Sequence, residues 1–192
     1  MATTSRKKST TRKTLKKAAS SPARRPRKSN LNPSPGPVNE WIELRRSPIQ
    51  GIGAFARTDI PKGTRLIDYA GEKITNAESD RRYPEEDKSQ RHHTFLFILN
   101  TKQVVDAAYD GNAAMFINHS CDPNCETFIE RGVIWIDSLR DIRKGEELTY
   151  DYMYDTDRSY TDDDLFRYYG CACGTKKCRG TIVMTKRRPK KT

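Results

Sequence analysis

Met115-Phe116-Ile117-Asn118-His119-Ser120-Cys121-Asp122-Pro123-Asn124 is the stretch on which the reading of this chain turns. Three apolar residues lead into a dense polar set, and Asp122-Pro123 carries turn chemistry. Asn118 and His119 offer paired donors and acceptors in rigid frames, and Cys121 offers a thiolate. A surface turn has no need of that combination. A small-molecule pocket beside a metal ligand does.

Three further stretches stand on either side. Upstream, Gln50-Gly51-Ile52-Gly53 opens a short apolar run, which by itself reads as a hairpin turn. Downstream, Gly145-Glu146-Glu147-Leu148-Thr149-Tyr150-Asp151-Tyr152 alternates so that Tyr150 and Tyr152 share one strand face. Near the end, Cys171, Cys173 and Cys178 have C-x-C-x4-C spacing, which leaves a tetrahedral zinc one ligand short. A free-standing zinc knuckle would need a fourth ligand nearby, and residues 160–192 supply none.

Together these stretches resemble the SET-domain protein-lysine methyltransferases, through N-H-S-C-x-P-N, G-E-E-L-x-[YF]-D-Y, the Y-x-G-E of Tyr69-Ala70-Gly71-Glu72 and the cysteine-rich post-SET module. The resemblance covers about residues 40–183, with the motifs in family order. It implies a mainly β fold of several small sheets, a C-terminal pseudoknot and a zinc-bound post-SET segment. It also implies contacts to S-adenosylmethionine from Gln50, Gly51, Ile52, Gly53, Tyr83, Asn118, His119 and Gly174. One structural zinc is expected on Cys121, Cys171, Cys173 and Cys178. Tyr152 is expected at the methyl-transfer point, Tyr69 in the lysine channel, and Tyr150 at the Phe/Tyr switch, where a hydroxyl favours mono- or dimethylation. The compact body, including Arg81-Arg82-Tyr83-Pro84, looks most like small stand-alone SET proteins of bacteria. No cysteine precedes Cys121, which excludes the zinc-cluster pre-SET region of some histone methyltransferases.

Charge is unevenly spread over the 192 residues. Residues 1–37 hold eleven basic and no acidic side chains, and residues 186–192 hold five and none. Residues 38–185 have 20 basic against 25 acidic side chains, so an acidic body carries two basic arms. Such a body attracts a basic, histone-like protein or peptide, and such arms seek polyanions. The N-terminal arm is too poor in apolar residues to offset its chain entropy and reads as disordered. Its roles remain three: a solubilising tail, non-specific contact with DNA or RNA phosphates, or a substrate of the domain itself. No apolar run reaches membrane-spanning length, so no membrane partner is expected. The basic N-terminal stretch lacks an apolar h-region and is not expected to act as a secretory signal, and the cysteine pattern suits a metal in a reducing compartment. An intracellular location is expected, in bacterial cytoplasm or nucleoid, or in a nucleus if the protein is delivered to or encoded by a eukaryote.

The expected units are a disordered basic tail (1–37), a SET domain (38–156), a zinc segment (157–183) and a basic C-terminal tail (184–192). Strands are expected at 41–44, 51–56, 95–99, 103–106, 133–136 and 147–152. A helix over 75–83 begins with Thr75 and Glu78 in a capping box, and a second helix spans 163–169, carrying Phe166, Tyr168 and Tyr169 towards the pocket. Two segments share a pattern, Asp59-Ile60-Pro61-Lys62-Gly63 and Asp141-Ile142-Arg143-Lys144-Gly145, each a turn launching a strand that delivers tyrosines. Asp155, Asp157, Asp162, Asp163 and Asp164 read either as a solvated loop or as an acidic rim for a basic peptide. Met115 stands where the family usually has Arg, removing a buried guanidinium. Two rival readings follow: a chromatin- or DNA-binding module that kept the scaffold without catalysis, and a methyltransferase for a ribosomal or other non-histone protein.

Overall fold

The structure is a computed structural model that describes residues 26–84, 94–155 and 161–184. Among the described residues, eleven short strands are built into four small sheets. The strands are β1 (Gly36–Pro37), β2 (Ile42–Arg46), β3 (Ile52–Ala56), β4 (Arg65–Asp68), β5 (Glu72–Thr75), β6 (Leu96–Ile98), β7 (Gln103–Asp106), β8 (Asn118–His119), β9 (Cys125–Glu130), β10 (Val133–Ser138) and β11 (Thr149–Tyr150). The sheets have the orders β1-β2-β3, β4-β10-β9, β11-β8 and β5-β7-β6. Helices α1 (Asn76–Arg82) and α2 (Asp162–Tyr169) and the 3-10 turn Ala113–Phe116 complete the described elements.

Alternation places the core. In β10, Ile134, Ile136 and Ser138 point inward, while Val133, Trp135 and Asp137 stay half-buried on the other face. There Arg65 stacks over Trp135 and Phe128, 4.6 and 5.0 Å from the ring centroids. The inner faces meet in one cluster that includes Ile42, Ile60, Ile117, Ile134, Ile136, Ile142 and Leu148. Met115 is 6% exposed within that cluster, so the position is filled by apolar packing instead of a guanidinium.

The two Asp-Ile-x-Lys-Gly turns hold each other. Ile60 and Ile142 exchange backbone hydrogen bonds of 2.8 and 2.9 Å. Asp141 Oδ1 accepts from the Lys62 N–H, and Asp59 Oδ1 from the Lys144 N–H, both at 2.8 Å. The strands launched from these turns carry Tyr69 and Tyr150 towards one place. The only parallel pair among the described strands, β8 with β11, sets Thr149 beside Asn118 and Tyr150 beside His119. This pairing fixes the strand that carries Tyr150 against the Asn118–His119 strand.

Several boundaries differ from expectation. Gly36–Pro37 pairs with Leu44 and Glu43, so residues 36–37 belong to a sheet although the tail was expected to reach 37. Before it, Ser29 N–H donates to Ala108 O and Asp110 N–H to Arg27 O, while Gly111 N–H donates to Ser29 Oγ. Non-local backbone partners, invisible to composition, hold residues 27–29. The tail residues 1–25 and 185–192, and Asp157, lie outside the described residues. Strand 95–99 was expected buried, yet Ile98 is 69% exposed because β6 is an edge strand. Thr75 caps α1 by accepting from the Glu78 N–H, but the Glu78 carboxylate binds Arg81 and Arg82, so the capping box is only half formed. The full box occurs at α2, between Thr161 and Asp164. Strand 147–152 is regular only over Thr149–Tyr150, because the Tyr152 N–H donates to the His119 side chain. In α2, Tyr169 is buried, its ring 5.1 Å from that of Tyr154, whereas Phe166 is 53% exposed.

Candidate functional site

Asn118 binds the glycine loop to the end of the domain core. Its Nδ2 lies 3.1 Å from Ser47 Oγ, 3.3 Å from Gln50 O, 3.5 Å from Ile52 O and 2.8 Å from Glu147 Oε1. Ser47 Oγ in turn donates to Glu147 Oε1 at 2.7 Å. Gly51 has φ +50°, in the left-handed region that glycine adopts without strain. Gly53 is required by space: a Cβ there would lie 2.4 Å from Glu147 Oε1 and 2.9 Å from Ser47 Cβ. The result is a shallow cradle of backbone and amide groups from Gln50, Gly51, Ile52 and Asn118. Glu147 and Ser47 were not singled out from sequence. For Glu147 the only signal was its place inside the G-E-E-L stretch.

Three tyrosines converge beside this cradle. Tyr150 and Tyr152 have ring centroids 4.9 Å apart. Phe97 bridges the set, 5.3 Å from the Tyr69 ring and 6.1 Å from that of Tyr150. Read from sequence alone, Phe97 is no more than a strand position. Tyr69 donates its hydroxyl to Phe95 O and Tyr152 donates to Ile117 O, each at 3.0 Å. Burial pushes all three phenols up, so they stay protonated at any physiological pH. Tyr152 is 37% exposed, with its hydroxyl tied to the Ile117 carbonyl.

His119 holds the Tyr152 backbone. Its Nδ1 accepts from the Tyr152 N–H at 3.1 Å, which leaves its proton on Nε2, 3.4 Å from Cys121 Sγ. Burial, opposed by Asp151 and reinforced by Arg179, brings the imidazole down to about 4. In this geometry it braces the backbone at Tyr152.

The sulfurs of Cys121, Cys171, Cys173 and Cys178 all lie within 4.8 Å of one another, and Cys121 and Cys171 are 3.8 Å apart. A tetrahedral zinc with Zn–S near ~2.3 Å sets its sulfurs roughly 3.8 Å apart, so the four thiolates fit that ion. Gly174, at φ +67°, turns the chain between Cys173 and Cys178 and is exposed. Cys125 stands outside the set: it is 1% exposed and burial pushes its thiol up to about 12. Tyr83 also joins a different group. Its hydroxyl donates to the fully buried Asp106, which also takes Arg82 at 2.9 Å and the Ala108 N–H at 3.1 Å.

Comparison with known proteins bears on this arrangement directly. The SET domain family model matches residues 51–153, from the glycine loop to just beyond Tyr152. The chain belongs to the SET-domain family. Its relatives include histone-lysine N-methyltransferase trr of Drosophila melanogaster, 42% identical over 147 residues that cover 73% of this chain and 6% of that protein. Histone-lysine N-methyltransferase 2D of Homo sapiens is 41% identical over 150 residues, covering 73% and 2%. The H3 lysine-4 specific enzyme of Aspergillus oryzae is 37% identical over 147 residues, covering 73% and 11%. The chain thus spans a small part of the length of these relatives. Among the described residues no helix is long and apolar enough to cross a membrane.

Proposed function

We propose that this SET-domain protein is an S-adenosylmethionine-dependent protein-lysine N-methyltransferase acting on a basic, histone-like protein, and that it adds one or two methyl groups. The observation that carries this is the meeting of Tyr69, Tyr150 and Tyr152 beside the Asn118 cradle. The cradle of Gln50, Gly51, Ile52, Gly53, Asn118 and His119 is assigned to S-adenosylmethionine, which supplies an electrophilic methyl on a sulfonium when bound. Tyr83 and Gly174 extend that assignment by family resemblance alone. Zinc on Cys121, Cys171, Cys173 and Cys178 would hold the post-SET segment (157–183) against the SET unit (38–156).

The residues have a clear task. Free lysine has a pKa near ~10.4, and the attacking amine must be neutral. Aromatic walls from Tyr69, Phe97, Tyr150 and Tyr152 disfavour the ammonium by desolvation. Phenols that stay protonated orient the amine by hydrogen bonding and do not act as bases. Fixing Tyr152 at both its hydroxyl and its N–H makes catalysis largely a matter of positioning. The acidic body and the histone-methylating relatives support a basic protein substrate inside the cell. The two basic arms, 1–37 and 184–192, are assigned weak, salt-sensitive contact with DNA. Tail-deleted protein that binds DNA equally well at low salt would remove that last part.

Mass spectrometry of histones incubated with the protein and S-adenosylmethionine tests the reading. Mono- or dimethyl-lysine that disappears with Tyr152→Phe is the expected result. Trimethyl-lysine from the unaltered chain would overturn the product assignment, and Tyr150→Phe is expected to produce it. An unaltered chain that binds the cofactor yet methylates no histone would shift the substrate to a non-histone protein. Failure to bind the cofactor would overturn the enzyme reading.

A further inference from the structure

The post-SET segment reaches the tyrosine site through Arg179, next to the zinc-set residue Cys178. Its guanidinium grips Asp151 with two bonds, 2.6 Å to Oδ2 and 2.9 Å to Oδ1. Its own backbone N–H lies 3.3 Å from Cys121 Sγ. Asp151 is joined covalently to Tyr152, whose N–H donates to His119, and His119 Nε2 returns to the same Cys121 sulfur. The contacts therefore close a ring: Cys121, Arg179, Asp151, Tyr152, His119 and back to Cys121. Asp151 Oδ1 also accepts the Met153 N–H at 3.0 Å, so its carboxylate helps set the backbone that follows Tyr152. Burial works against ionising Asp151, but the bonds from Arg179 and the Met153 N–H together, with the charge of Arg179, hold the carboxyl below its usual range.

A pair of this kind on an open surface would contribute little. This one is about three-quarters covered, and it links residues 28 apart in sequence on two separate units. Bidentate geometry also fixes an angle as well as a distance, which a lysine cannot do. We propose that Arg179 is a positioning residue for methyl transfer, one that makes the placement of Tyr152 depend on the docked post-SET segment. Without it, Asp151 turns to solvent, the Tyr152 N–H leaves His119, and the hydroxyl drifts from Ile117 O. The inference rests on the methyltransferase reading for its kinetic effect, though not for its structural one.

The test uses the full zinc-containing chain and Arg179→Gln, Arg179→Lys, Asp151→Asn and the double variant Arg179→Gln/Asp151→Asn. Arg179→Gln is expected to keep one zinc per chain and its affinity for S-adenosylhomocysteine within about twofold. Its kcat should fall tenfold or more with peptide KM little changed, and Arg179→Lys should recover only part of the loss. The double variant should be no worse than Asp151→Asn alone, because one residue acts through the other. Amide exchange at Tyr152, read by hydrogen–deuterium exchange, should quicken at least tenfold in Arg179→Gln. Unchanged kcat with unchanged exchange would overturn the proposal, as would losses that multiply in the double variant. If Arg179→Gln fails to fold or to hold zinc, the same cycle with Arg179→Lys decides. An unaltered chain with no methylation at all would sink the methyltransferase reading, and the exchange measurement would still decide the role of Arg179.

Discussion

Gly53 shows how little room the cradle has. Its missing Cβ leaves space for the Glu147 carboxylate, which joins Ser47 and Asn118 at 2.7 and 2.8 Å. Gly53→Ala drives a methyl into that carboxylate and against the Ser47 Cβ. The carboxylate is the mobile partner, so the fold survives while Asn118 loses its bond to Glu147 and swings away from the Gln50 and Ile52 carbonyls. The expected outcome is a tenfold or greater loss of S-adenosylhomocysteine affinity by calorimetry, with a far-ultraviolet dichroism spectrum like that of the unaltered chain. Unaltered affinity would show that Glu147 moves without disturbing the cradle. Met115 gives the opposite lesson. It fills its position as an apolar core residue, so Met115→Ala is expected to cost about 2–5 kcal/mol in denaturant unfolding. A loss below about 1 kcal/mol would mean the surroundings collapse into the gap.

Among the elements, the two Asp-Ile-x-Lys-Gly turns act as a pair. Each aspartate caps the other turn, and the buried Ile60 and Ile142 are bonded backbone to backbone between them. Removing either cap with Asp59→Ala or Asp141→Ala should cost about 0.5–1.5 kcal/mol, the net value of one such hydrogen bond. Because both caps hold one junction, the double variant should cost less than the two losses added together. Chemical denaturation of all four proteins reads this, and strict additivity would mean that the turns are independent. The repeat was visible in the sequence as two similar turns, and convergence of their strands on the tyrosines could be inferred from Tyr69, Tyr150 and Tyr152. The exchange of caps could not, since Asp59 and Lys144 are 85 residues apart. The same reason hid Ser47 with Glu147 and Arg179 with Asp151. Short motifs such as Asn118-His119-Ser120-Cys121 were legible because their chemistry is local. Side-chain partners from distant elements leave no periodicity to read, and the exposure of Ile98 on an edge strand depends on which strand lies beside it.

At the scale of the whole molecule, the four-cysteine cluster joins distant parts of the chain, since Cys121 follows the cradle residues and the other three come from residues 171–178. Four thiolates within 4.8 Å of one another repel, and a bound cation would offset their charge. Protons compete for the same sulfurs, and acid should therefore release the metal. Without it the thiols differ in reactivity. Burial raises Cys173, but hydrogen bonds from backbone groups and Thr175 outweigh it and hold this thiol down to about 6, ionised at neutral pH. Cys125, enclosed in the core and pushed up to about 12, stays a neutral thiol. The purified protein should therefore contain one zinc per chain by elemental analysis. A strong chelator at neutral pH should open four cysteines to iodoacetamide, with Cys173 modified first, and should lower the melting temperature. Cys125 should remain unmodified until denaturant is added. If Cys125 reacts together with the other four, metal loss has unfolded the core and the cluster is a folding nucleus for the entire chain. If four thiols react freely in metal-containing protein, the metal is held elsewhere and the assignment of this cluster fails.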